Sequence, residues 1–135
     1  MNFATIVKLY FLTVPVFFLI DMLWIGVIAR GFYKRHLGYF LSPTVNWPAA
    51  VIFYLIFIAG ILIFAVLPAL ERESLRRAVV WGALFGFFTY ATYDLTNLAT
   101  VRDWPLIAAI VDIFWGVCLC TAVSAAGYLI GRWLA

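Results

Sequence analysis

The sequence predicts an all-α membrane protein: a four-helix transmembrane bundle with a short interfacial segment between its first two helices. Composition and charge spacing carry that expectation. Of 135 residues, 67% are hydrophobic and 11% charged, against about 45–50% and roughly 25% in an ordinary soluble domain. The charges are also clustered. Asp21 is the only one between Lys8 and Arg30, none falls between Leu37 and Leu70, Asp94 stands alone between Arg77 and Arg102, and Asp112 alone between Asp103 and Arg132. Each gap supplies the ~20 apolar residues that a hydrocarbon core of about 30 Å requires. Helices rather than strands follow from these lengths and from the need to satisfy every backbone polar group inside lipid.

Helix one is expected over residues 9–29. It contains Asp21 and Trp24 and ends in Ala29-Arg30-Gly31 rather than at a small-x-small cleavage site, so it is expected to stay in the protein. From Arg30 to Asn46 the chain changes character. Phe32, Tyr33, Leu37, Phe40 and Leu41 recur at near-helical spacing, while Arg30, Lys34, Arg35 and His36 supply charge, the pattern of a short helix in the headgroup layer. Ser42-Pro43 is expected to stop it, with Trp47 anchoring the next span at the interface. His36, the only histidine, reads as an interfacial residue beside three cations.

Helix two is expected over 47–68, helix three over 78–100 and helix four over 105–130. The Glu71–Arg77 link is short, and Arg102-Asp103-Trp104-Pro105 is a tight turn whose proline opens a helix. Helices two and three, and three and four, are therefore antiparallel neighbours. Cys118 and Cys120, two residues apart, point to nearly opposite faces and read as packing residues rather than a disulfide or metal pair.

The formal charge of +3 is no nucleic-acid footprint, because the cations sit in the connections, where they orient spans and meet lipid headgroups. The expected partner is the bilayer. One side carries both termini with Lys8, Arg72, Arg76, Arg77 and Arg132, and the other carries Arg30, Lys34, Arg35 and Arg102. The Arg76-Arg77 pair points to cytoplasmic termini. Glycine-rich phosphate loops, paired histidines, a His-Glu-x-x-His and a Gly-x-Ser-x-Gly elbow are all absent from the sequence.

Three of the six acids lie inside spans, unaccompanied there by lysine or arginine. Asp21 precedes Arg30 by nine residues, Asp94 precedes Arg102 by eight, and Asp112 follows Asp103 by nine. At 1.5 Å per residue, all three carboxyls fall about 12–13 Å below one membrane face. Asp21-x-x-Trp24 and Asp112-x-x-Trp115 repeat a spacing that puts each pair on one helix face. Tyr90, Asp94 and Asn97 form a stripe on helix three, and Thr89, Tyr93, Thr96 and Thr100 form the next. A face so polar is expected to look at other helices or a wet cavity. Gly82-x-x-x-Gly86 and Gly127-x-x-x-Gly131 lie toward the terminal-bearing side and predict close helix approach there. The bundle should then open toward the aspartates from the face of Arg30 and Arg102. An exposed Gly127/Gly131 face would permit a homodimer or a partner membrane protein.

Each intramembrane Asp costs roughly 2.5–3.5 kcal/mol to insert, and a buried carboxylate without a cation is disfavoured as an ion. Three readings stay open: polar contacts that only fix the fold, a site for a cation, proton or small amphiphile, or a carboxylate-bound metal for lipid-related catalysis. The candidate site residues are Asp21, Asp94, Asp112, Asn97, Tyr90, Tyr93, Trp24 and Trp115.

The segments Asp21-x-x-Trp24-x-Gly26, Tyr93-Asp94-Leu95-Thr96-Asn97-Leu98-Ala99-Thr100 with Arg102-Asp103-Trp104-Pro105, and Asp112-x-x-Trp115-Gly116 together resemble a bacterial family of predicted membrane proteins, domain of unknown function 2177. The resemblance covers essentially the whole chain. It implies a small inner-membrane protein with four helices and transfers no catalytic residue.

Overall fold

Three short polar side chains set where the long helices begin. Asn2 accepts from the Thr5 N–H at 2.8 Å, Asn46 from the Ala49 N–H at 3.3 Å and Ser74 from the Arg77 N–H at 3.2 Å, each satisfying an N–H that the first turn leaves free. The structure, a computed structural model, describes residues 1–40 and 44–135. Leu41 and the expected stop at Ser42-Pro43 lie outside the described residues. Those described form five helices and no strand: α1 (Phe3–Ile28), α2 (Arg30–Leu37), α3 (Trp47–Glu71), α4 (Leu75–Thr100) and α5 (Leu106–Leu134). The helices outrun several of the expected spans, α1 because its cap is at Asn2.

Two π turns interrupt the α-helical ladder. Leu62–Val66 in α3 comes just before Pro68, which has no N–H to continue a regular ladder. Trp24–Ile28 ends α1, with the Ala29 N–H donating to the Trp24 carbonyl at 2.7 Å before the chain turns into α2. The links on either side of α4 are tight enough to put Glu73 (φ 49°) and Asp103 (φ 61°) in the left-handed region.

By length and composition, three helices among the described residues can cross a membrane: α1, α3 and α5. The 26-residue α4 is as long, but its polar stretch from Thr89 to Thr100 keeps it outside that group. The most extensive packing is between α4 and α5. A Cβ on Gly82 would meet the Ser124 side chain, one on Gly86 the Gly116 carbonyl, and one on Gly116 the Tyr90 ring.

Close approach near the terminal-bearing end is thus present, with different partners from those expected. Gly127 and Gly131 are buried within the chain, facing Val66 and Leu70 of α3. They offer no exposed face for a second copy, because the tail of α3 already covers them. The core runs between α1, α3 and α5 through Leu9, Phe17, Ile58, Ile61, Val66, Leu119 and Val123. Toward the other end, α3 separates from α4: their backbones pack over Leu62–Glu71 far more than over Trp47–Ile61. Aromatic rings bridge the gap, Phe57 lying 5.3 Å from Phe85 and 6.1 Å from Tyr90.

Replacing Gly86 with Val forces side-chain atoms into the backbone of α5, which cannot move aside cheaply. It should cost about 1–3 kcal/mol in a denaturant titration of the purified protein in detergent. Gly26→Ala, with nothing within 4 Å of its new Cβ, should be close to neutral. Equal stability of the two variants would contradict this packing.

Candidate functional site

Asp21 is 3% exposed and Asp94 1% exposed, so each must find partners inside the bundle. Asp21, two residues before the end of the regular part of α1 at Leu23, accepts from both sides. The Trp115 indole N–H of α5 donates to its Oδ1 at 3.2 Å, and the Tyr54 hydroxyl of α3 donates to its Oδ2 at 3.2 Å. The Trp115 ring lies flat against Trp24, centroids 4.5 Å apart and planes 6° from parallel. The Trp24 indole N–H donates to the Tyr33 hydroxyl at 3.2 Å, and Tyr33 in turn donates to Asp112 Oδ1 at 2.8 Å. Asp21 and Asp112 are thereby the two ends of one chain of contacts across α1, α2 and α5.

Asp94 completes the network from α4. The antiparallel register that sets Gly86 against the Gly116 carbonyl and the Tyr90 ring over Gly116 brings Asp94 level with Asp112, yet the buried Asp94 Oδ2 meets no donor among the described residues. An ionised carboxylate only accepts, so a bond across this pair exists only when one member carries a proton. The carboxyl layer is therefore one facing pair plus a third acid linked to it by stacked indoles. The three do not form a coordination sphere: among the described residues no three His, Cys, Asp or Glu gather as metal ligands would.

Tyr90 lays its ring over Gly116, the small residue that admits it. Asn97 is half-buried, one helical turn beyond Tyr93. Tyr93 itself is 58% exposed and meets Trp104 edge-on at 6.2 Å. The expectation that the whole polar face of helix three turns inward needs correcting here. Tyr93, Thr96 and Thr100 are exposed, as is Thr92. Outward-facing threonines are tolerable because Thr92 and Thr100 donate to the carbonyls of Phe88 and Thr96 in their own helix, at 2.6 and 2.7 Å.

Two residues of the network escaped the sequence reading. Tyr33 belongs to α2, whose amphipathic pattern gives a face but not a depth; burial, with the neighbouring Asp112 charge second, pushes its phenol above the ordinary value, so it stays a donor. Tyr54 carries no charge to draw attention. Yet it lies seven residues into α3, about 10 Å from the interfacial Trp47, so the depth arithmetic used for the aspartates would have found it. His36 places Nδ1 3.0 Å from the Phe32 carbonyl and its ring 4.4 Å from the Phe32 ring, both contacts within its own helix.

Among the described residues, the end carrying Arg30 and Arg102, from which the sequence predicted the site to open, is partly covered. Helix α2 and its following turn fold over that end: Tyr39 donates to the Asp103 carbonyl at 2.7 Å, and Phe40 lies 5.1 Å from the Trp104 ring. A groove of about 820 Å³ lies beside Asp112, between α3 and the second half of α4.

An all-helical chain with three apolar helices and a carboxyl network buried among them is an integral membrane protein. The chain belongs to the family described as predicted membrane protein (DUF2177), whose model matches residues 6–129. No curated protein and no solved structure matches it.

Replacing Tyr54 or Trp115 with Phe removes one donor from Asp21 and should cost about 0.6–1.7 kcal/mol in the same detergent titration. The double variant leaves the carboxyl without either donor and should cost more than the sum. A double variant as stable as the parent would contradict the network.

Proposed function

We propose that this chain is a four-span protein of the bacterial inner membrane, with both termini cytoplasmic, whose aspartate network holds a cation, a proton or a small amphiphile. The fourth span is α4. Its tight links to α3 and α5, and its long packing against α5, support a helix that crosses wherever its neighbours cross. Its exposed Val80, Trp81, Leu84, Phe87, Phe88 and Leu95 suit lipid contact. Carboxyl burial there is tolerable because only Asp94 needs it, and Asp94 faces Asp112.

One observation carries the ligand reading. Asp94 is buried with an unpaired Oδ2 beside the partly exposed Asp112, and no lysine or arginine falls in any of the four expected spans. Two facing carboxyls are neutralised either by a shared proton or by an arriving cation. Polar contacts that only fix the fold would favour satisfied oxygens, as at Asp21. The metal-dependent alternative is less well supported, since a hard divalent cation prefers six or more oxygens and no three protein ligands gather among the described residues.

Topology is checked by thiol labelling of intact cells, with Cys118 and Cys120 replaced by Ala. A Cys at Asp103 should react from outside and one at Ser74 should not; labelling of both from one side would remove α4 as a span. The site is checked by calorimetry and proton release in lipid nanodiscs, with sodium ions, potassium ions and tetraphenylphosphonium as probes. Binding of at least one probe, or a released proton, should weaken tenfold or more in Asp94→Asn and Asp112→Asn. Binding unchanged in both, or no response to any probe, would end the ligand reading. Treatment with EDTA should leave stability and binding unchanged, whereas their loss would favour the metal-dependent alternative.

A further inference from the structure

The groove beside Asp112 narrows the chemistry of the ligand. Its walls are aromatic: Phe53 and Phe57 from α3, and Phe88, Tyr90 and Tyr93 from α4, with the Asp112 carboxyl from α5 among the lining. At about 820 Å³ it falls within the range of small-molecule pockets, roughly 300–1,000 Å³. It lies between α3 and α4, away from the α2 contacts to Asp103 and Trp104, and with α3 and α4 both crossing the bilayer its mouth meets the acyl-chain region.

We propose that this groove admits a monovalent organic cation with an apolar body from within the bilayer, held by Asp112 as counter-ion and by the ring faces around it. This rests on the ligand-site reading above. Charge complementarity selects the occupant. The lining holds a carboxylate and no cationic side chain, so an anion is repelled and a neutral lipid leaves the acid pair without a counter-charge. A small inorganic cation lacks the several oxygens that replace its water shell. A diffuse organic cation needs fewer oxygens, because aromatic faces attract it directly.

The test compares two ions of the same shape and opposite charge, tetraphenylphosphonium and tetraphenylborate, titrated against the full chain in lipid nanodiscs. The phosphonium should bind saturably and the borate should not. Asp112→Asn should weaken phosphonium binding tenfold or more. Thr92→Phe, which narrows the groove from a residue whose hydroxyl bonds only its own helix at Phe88, should weaken it by a similar factor with the aspartates untouched. Equal binding of both ions, or phosphonium binding indifferent to both variants, would overturn the proposal. Aspartate-dependent uptake of sodium, potassium or protons without phosphonium binding would overturn the groove alone and leave the ligand site standing. No aspartate-dependent binding of any probe would remove both.

Discussion

Carboxyl groups set among apolar helices dictate the arrangement of everything around them. Asp21 and Asp94 are shut off from water, and residues 9–29, 78–100 and 105–130 around the three aspartates offer no lysine or arginine as partner. Each must therefore recruit neutral donors, another acid or a ligand. Asp21 takes the first course, with an indole N–H and a phenol from two other helices. Asp112 takes a phenol from α2 and lies level with Asp94 across the α4–α5 contact. Helices α1, α3 and α5 and the cap α2 are thus tied together by the needs of two acids. Asp94, buried as Asp21 is, keeps an oxygen without a donor among the described residues, and the ligand reading starts from that difference.

The packing around the layer is uneven in a way that follows from side-chain size. Glycines at 82, 86 and 116 bring α4 against α5, which is what lets Asp94 reach Asp112. Gly127 and Gly131 do the same for α5 and the tail of α3. Where α3 is rich in aromatic residues instead, it stands off from α4 and leaves the groove. A wedge of this kind needs no moving part, only small residues at one end and rings at the other.

Much of this was legible beforehand. The gaps between charges marked the long helices, because lipid leaves the chain few other options. Counting 1.5 Å steps from Arg30, Arg102 and Asp103 put the three acids in one layer, and the repeated Asp-x-x-Trp spacing flagged the indoles that now link them. What the sequence could not supply was lateral order. A small-x-x-x-small pattern announces close approach without naming the partner, so Gly127 and Gly131 turned out to face α3 and not a second copy. An amphipathic segment gives no depth, so Tyr33 went unnoticed as the donor that seats Asp112. Threonine hydroxyls count as polar in any sequence tally, although in a helix they bond their own backbone and can face outward.

The meeting of Asp94 and Asp112 is the point on which the account turns, and cysteine cross-linking in native membranes addresses it directly. With Cys118 and Cys120 replaced by Ala, Asp94→Cys combined with Asp112→Cys should give an intramolecular cross-link under mild oxidation. Leu95→Cys combined with Asp112→Cys should give none, since Leu95 is exposed one residue around the helix. Absence of the first product, or equal yields of the two, would show that these carboxyls do not face each other.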